Sequence, residues 1–137
     1  MAAAPGPCLN HISRETSDIK RLATFYIEVF GFEQIESPKF DFEVIWLKLG
    51  SSMLLHLIER DPTVMLPEGP WSSVADPKNL PRGHHVCFYV PEFDSFVQRD
   101  KGIPVHEQSQ PDGKTKQVFF FDPDGNGLEV SSQCPVL

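Results

Sequence analysis

Six of the apolar side chains between Ile19 and Phe30, at positions 19, 22, 23, 26, 27 and 30, keep the i, i+3, i+4, i+7 spacing of one buried helix face. Thr16-Ser17-Asp18 offers N-cap residues before this helix, and Gly31 is placed to end it. Leu9–Glu15 reads as a short strand ahead of it. Phe32–Ile35, Phe42–Leu49 and Met53–Glu59 read as strands after it, the last two joined by the turn Gly50-Ser51-Ser52. The same order then recurs: a strand at His84–Val90, a helix at Glu92–Lys101 with Phe93, Phe96 and Val97 inward and Gly102 as its stop, and strands at Ile103–Glu107, Gln117–Phe121 and Leu128–Ser132. Asp122-Pro123-Asp124-Gly125-Asn126-Gly127 is the turn between the last two. The pattern predicts an α+β chain built from two βαβββ modules.

The boundaries follow from the breakers. Residues 1–7 are a flexible Pro- and Ala-rich tail, and residues 8–133 form one domain, with module 1 at about 8–60 and module 2 at about 82–133. The 61–81 connection, punctuated by five prolines, is expected to be an ordered loop in which Trp71 packs as part of a lid. A chain of 137 residues suffices for one such core. A net charge of -7 with no basic run argues against a nucleic-acid partner. No apolar stretch reaches the roughly 20 residues of a membrane span and the N-terminus lacks a secretory pattern, so the expected location is cytoplasmic, away from membranes. Cys8, Cys87 and Cys134 form no Cys-x-x-Cys pair and read as reduced thiols, with Cys87 a small core or pocket residue in the run His85–Val90.

The repeat has a chemical content. His85 lies 74 positions after His11, Glu129 lies 73 after His56, and Val118 lies 74 after Val44. Because strand side chains alternate between faces, His11 shares a face with Ser13 and Glu15, His85 with Cys87 and Tyr89, His56 with Leu54 and Ile58, and Glu129 with Gly127 and Ser131. Leu55, Leu57, Leu128 and Val130 are left to face helices. A single histidine in such a position is ordinarily a packing residue. Imidazoles and a carboxylate repeated at equivalent strand positions instead suit a divalent transition ion such as zinc, nickel, cobalt, manganese or iron, with open positions for water or substrate. Parity puts His84 on the face of Val86 and Phe88, so His85 is preferred as ligand. His106 reads as an exposed strand-end residue, and Glu59 as part of a solvated charge cluster.

The runs Leu9-Asn10-His11-Ile12-Ser13, Phe25-Tyr26-Ile27-Glu28-Val29-Phe30-Gly31-Phe32, Gly83-His84-His85-Val86 and Phe121-Asp122-Pro123-Asp124-Gly125-Asn126-Gly127-Leu128-Glu129-Val130 resemble the vicinal oxygen chelate superfamily. Within it the chain is most similar to small glyoxalase I-like proteins of the lactoylglutathione lyase family, particularly those of plants. The resemblance spans about Cys8 to Ser132. It implies paired βαβββ modules whose curved sheets enclose a metal cup, with His11, His56, His85 and Glu129 as metal ligands. It also implies a homodimer in which each cup takes one module from each chain.

The activity so implied is conversion of the hemithioacetal of methylglyoxal and glutathione into a 2-hydroxyacyl thioester, by proton transfer through an enediolate. A divalent ion would act as Lewis acid and Glu129 as the catalytic base. The chain departs from that pattern in three places. His56 stands where the lyases place a carboxylate, and Glu15 and Arg60 stand where they place an Arg and an Asn that hold glutathione. A Glu15–Arg60 salt bridge would account for the last two together. Ser13, Glu15, Leu54, Arg60, Trp71, Cys87 and Tyr89 are the candidate pocket residues. Two alternatives stay open: a glutathione-independent isomerase or small-molecule-binding protein, and an extradiol-type dioxygenase built on the same His, His and Glu pattern.

Overall fold

The computed structural model describes residues 9–51, 53–64, 76–99 and 102–133. They form an α+β structure of two compact units, divided in the connection that follows residue 64. The first contains β1 (Ile12–Thr16), α1 (Ile19–Phe30), β2 (Glu33–Ile35), β3 (Val44–Leu49) and β4 (Met53–Glu59). The second opens with a 3-10 helix (Pro77–Arg82) and continues through β5 (Val86–Tyr89), α2 (Phe93–Arg99), β6 (His106–Ser109), β7 (Lys116–Phe121) and β8 (Gly127–Ser131).

In the first unit the strands run in the order β1-β4-β3-β2, with β1 parallel to β4 and the other neighbours antiparallel. Asp18 caps α1 by accepting from the Arg21 amide at 3.1 Å. Gly31 ends it at a φ of 81°, a left-handed conformation that side chains other than glycine rarely take, and its amide reaches back to the Ile27 carbonyl. Ile19, Leu22, Ala23, Tyr26 and Val29 are buried, while Ile27 is 38% exposed. The stripe therefore advances by three and four residues from Tyr26 to Val29 and Phe30, leaving Ile27 about 100° round the helix from Tyr26. α1 packs on β3 and β4, where Leu47, Leu55 and Leu57 are buried. Each such side chain contributes about 2 kcal/mol of hydrophobic stabilisation.

The second unit repeats the order as β5-β8-β7-β6, with β5 parallel to β8. Leu128 and Val130 are buried as expected, and Phe96 of α2 meets Phe120 of β7 at a ring separation of 6.3 Å. The registers correspond as well. Ser13 pairs with His56 and Trp46 with His56 in the first sheet, and Cys87 with Glu129 and Phe119 with Glu129 in the second. The offsets read from the sequence thus connect residues in the same place on equivalent strands.

Several bounds differ from the sequence reading. β1 begins at Ile12 and β5 at Val86, so His11 and His85 sit on the lead-in to their strands. The strand expected at Ile103–Glu107 is instead His106–Ser109, because Pro104 has no amide to give to a ladder and pairing starts beyond it. Part of the connecting loop is helical: Asp76 caps the 3-10 turn through the Lys78 amide, with Pro77 at its first position. Trp71, Cys8 and Cys134 lie outside the described residues. Among the described residues, no helix is long and apolar enough to cross a membrane.

Candidate metal centre

On the first sheet, parity turns Ser13 and Glu15 of β1, Leu54, His56 and Ile58 of β4, and Val44 and Trp46 of β3 to the face opposite α1. His56 lies between two rings. His11 stacks on it with centroids 3.9 Å apart, and Trp46 stacks on it at 4.0 Å with planes parallel to within 1°. His56 is 8% exposed and its Nε2 is buried without a hydrogen-bond partner. Burial, and then the neighbouring His11, hold its pKa below the usual histidine value. His11 Nδ1 lies 2.7 Å from the Asn10 side-chain oxygen, which accepts the ring proton and leaves Nε2 with its lone pair.

At the end of the same face, Arg60 Nε donates to Glu15 Oε1 at 3.2 Å, with both side chains partly exposed. The salt bridge expected from the sequence is present. Glu15 and Arg60 therefore satisfy one another.

On the second sheet, His85, Cys87, Glu129, Gln117 and Phe119 share the face opposite Leu128 and Val130. His85 is half-buried and His84 exposed. His85 Nδ1 donates to the Gly83 carbonyl at 2.9 Å, and its Nε2 is 3.0 Å from Glu129 Oε1. The other carboxylate oxygen, Oε2, accepts from Gln117 Nε2 at 2.9 Å. Phe119 meets the His85 ring edge-on at 5.4 Å. Glu129 is 6% exposed, so these side chains rather than solvent surround it.

Cys87 is exposed, so of the expected core or pocket placement the core does not hold. β5 is the edge strand of its sheet, so the side chain is covered on one flank only. Burial of the sulfur first, and the Glu129 carboxylate second, push the thiol up to about 12. Tyr89 is 42% exposed on the same strand face. His106 does stand at a strand end, as the first residue of β6, but it is half-buried rather than exposed, with Nε2 3.1 Å from Gln108 Oε1. Gln117, Gln108 and Trp46 are site residues that the sequence reading missed. The parity of β3 contained the signal for Trp46, the residue directly opposite His56, whereas Gln117 stands opposite Ser131 and reaches Glu129 on the diagonal.

Among the described residues, no group of three or more His, Cys, Asp or Glu is assembled as a metal cluster; the candidate ligands stand as two pairs, His11 with His56 and His85 with Glu129. Both pairs fit a divalent ion. An orphaned buried imidazole nitrogen costs about 1–3 kcal/mol unless something binds it. His85 with its proton on Nδ1 turns an Nε2 lone pair on a carboxylate oxygen 3.0 Å away, a repulsive approach that requires a proton or a metal cation. That separation is also the spacing of two adjacent ligands whose bonds to one ion are about 2.1 Å long. Anchoring of the far ring nitrogen by a carbonyl is the arrangement that orients metal-ligating histidines.

Two βαβββ units, each with candidate ligands on one face of its sheet, define the α+β class of the chain, and the comparisons give it a family. Residues 8–130 match the Glyoxalase/Bleomycin resistance protein/Dioxygenase superfamily, and the chain belongs to it. It is similar to a lactoylglutathione lyase of Schizosaccharomyces pombe, 29% identical over 91% of this chain and 47% of that enzyme. The chain thus spans about half the length of that relative. The human mitochondrial methylmalonyl-CoA epimerase is 24% identical over 87% of this chain and 68% of its own. Among solved structures, a lactoylglutathione lyase from Agrobacterium tumefaciens superposes with a TM-score of 0.63 at 26% identity, covering 93% of this chain and 94% of that one.

Proposed function

We propose that this protein is a divalent-metal-dependent isomerase or lyase that moves a proton between adjacent carbons of a hemithioacetal formed from a 2-oxoaldehyde and a thiol. The observation that carries the reading is the His85–Glu129 pair, with one carboxylate oxygen tied to Gln117 and the other turned to an imidazole anchored at its far nitrogen. His11, His56, His85 and Glu129 are the proposed ligands, in a homodimer whose sites each take one module from each chain. A divalent ion held by them supplies Lewis-acid stabilisation of charge on substrate oxygens. Glu129 is the base: it takes the proton from the carbon bearing sulfur, leaving an enediolate, and returns it to the neighbouring carbon, so the thiohemiacetal carbon becomes the thioester carbonyl and the former ketone becomes an alcohol. Similarity to a lyase and to an epimerase supports a reaction of this type.

The Glu15–Arg60 ion pair favours a second reading for the thiol. Arg60 is already engaged and Glu15 is anionic, so a glutathione carboxylate placed there meets repulsion. The preferred substrate is then an adduct of another thiol, or a 2-hydroxy carbonyl compound that needs none. Deuterium exchange decides the matter: wild type with added Mn(II) washes label from the substrate carbon, and Glu129→Gln folds but does not. Exchange by Glu129→Gln at the wild-type rate removes Glu129 from the role of base. One metal ion per chain in a dimer, lost in His85→Ala and kept in His84→Ala, is the outcome expected of the ligand set.

A further inference from the structure

The second sheet carries a chain of hydrogen bonds that crosses three of its strands and ends at the lead-in to the fourth. His106 Nε2 meets Gln108 Oε1 at 3.1 Å, Gln108 Nε2 meets Gln117 Oε1 at 3.1 Å, and Gln117 Nε2 meets Glu129 Oε2 at 2.9 Å. Beyond Glu129 lie His85 and the Gly83 carbonyl. β6, β7 and β8 contribute the links, which end at the lead-in to β5; the outermost link is exposed, the next part-buried and the innermost buried.

The direction of this chain is fixed by its inner end. A carboxylate can only accept, so the Gln117 atom facing Glu129 must be the amide nitrogen. Its oxygen then faces outward and requires a donor, which makes the facing Gln108 atom a nitrogen too. The Gln108 oxygen in turn requires the proton on His106 Nε2. Every donor therefore points inward, toward Glu129. Gln117 is 7% exposed, so an amide turned the wrong way would set its oxygen against the carboxylate with no water to relieve it.

We propose that Gln117 is a positioning residue for Glu129, and that Gln108, which does not touch Glu129, sets the orientation in which the Gln117 amide can do this. The inference rests on the reading of Glu129 as ligand and base. With Oε2 engaged by Gln117, Oε1 alone is presented on the side of His85. Gln117 thereby fixes which lone pairs of Glu129 are offered to an ion or to a substrate proton. Sequence offers no hint of this, since glutamine belongs to none of the metal-ligand or acid-base types.

Two measurements on the full chain test it. In metal-free protein, the side-chain amide protons of Gln117 are expected to exchange at least about tenfold more slowly than those of the exposed Gln34, and their resonances should move on Glu129→Gln. In titrations with Mn(II), Gln117→Leu is expected to weaken binding by about tenfold, the cost usual for removing a partner of a ligand. Gln108→Glu is the sharper variant. A carboxylate at that position offers only acceptors, so the Gln117 amide turns its nitrogen outward and its oxygen onto Glu129, and Mn(II) binding weakens although a negative charge was added. Gln108→Leu removes that demand and should stay within about twofold of wild type. Tighter binding by Gln108→Glu, or wild-type affinity in Gln117→Leu, overturns the proposal. If wild type takes up no Mn(II), the metal reading fails, and the amide exchange alone decides the tether: protected protons sustain it and freely exchanging ones end it.

Discussion

His56 and Trp46 lie face to face, their planes parallel to within 1° and their centroids 4.0 Å apart, on paired positions of β3 and β4. The indole covers one face of an imidazole whose other face is covered by His11, so the ring has little freedom to rotate away from its orphaned Nε2. Stacked aromatic pairs add about 0.5–1.5 kcal/mol beyond the area they bury. Trp46→Leu is therefore expected to lower unfolding free energy by about 2 kcal/mol in urea titrations. It should also weaken divalent-metal binding, whereas Trp46→Phe should keep most of both. Equal metal affinity in Trp46→Leu and wild type would show that stacking does not hold the His56 ring.

Gly127 makes a different demand. A Cβ there would stand 2.5 Å from the His84 carbonyl oxygen and from Leu80 Cδ2, and 3.3 Å from His85 Cβ. The close approach of β8 to the lead-in of β5 thus depends on a missing side chain, and it is what seats His85 beside Glu129. The leucine tip can yield, but the carbonyl belongs to the backbone that carries His85. Gly127→Ala is expected to cost about 1–3 kcal/mol through overpacking and to separate His85 from Glu129. The signature is metal affinity that falls further than in a variant of equal stability loss on the helix side, such as Val130→Ala.

Much of this was legible from spacing alone. The offsets of 73 and 74 between His56 and Glu129 and between His11 and His85 identify residues that occupy the same strand positions, as the pairs Ser13–His56 and Cys87–Glu129 show. Parity also chose His85 over His84. What it could not reach were partners whose residue type carries no chemical signal: Trp46 became visible through its register opposite His56, Gln117 through its hydrogen bond to Glu129, and Gln108 through its pairing with Gln117. The strand that contains His106 was misplaced for a local reason. An apolar run of Ile103 and Val105 suggested a strand, and the missing amide of Pro104 moved that strand past it.

Cys87 gives an independent report on the charge of Glu129. The residue is exposed, yet its thiol is pushed up to about 12, by burial of the sulfur first and by the Glu129 carboxylate second. Near pH 8 the reactive thiolate is then scarcer by roughly 1,000-fold than in an ordinary cysteine, and alkylation by iodoacetamide should be correspondingly slow. Glu129→Gln removes the second cause and leaves the first, so the rate should rise without reaching that of a free thiol. A bound divalent cation beside Glu129 should act in the same direction. An unchanged rate in Glu129→Gln would mean that the carboxylate does not act on this sulfur.

Asp112 tests how the hairpin that carries Gln108 and Gln117 is held. Its carboxylate accepts from the Lys114 amide at 2.8 Å, the Thr115 amide at 2.9 Å and the Thr115 hydroxyl at 2.7 Å, closing the turn between β6 and β7. The Thr115 hydroxyl first, and then the backbone amides, lower its pKa from 3.8 to about 2. Because the folded value lies below the unfolded one, the unfolded chain binds the proton more readily. The stabilisation from this group is therefore complete above 3.8 and disappears as pH falls through about 2. The difference in melting temperature between wild type and Asp112→Ala should be constant from neutral pH down to about pH 5 and shrink steadily below that. Asp112→Asn keeps an acceptor for the backbone amides but has no charge to lose, so its melting temperature relative to Asp112→Ala should not vary over the same range. A wild-type advantage that persists undiminished at about pH 2 would mean that the turn is held without the ionised carboxylate. Loss of the turn also loosens the pairing of Gln108 with Gln117, so Asp112→Ala should speed exchange of the Gln117 amide protons while leaving the His85–Gly83 contact intact.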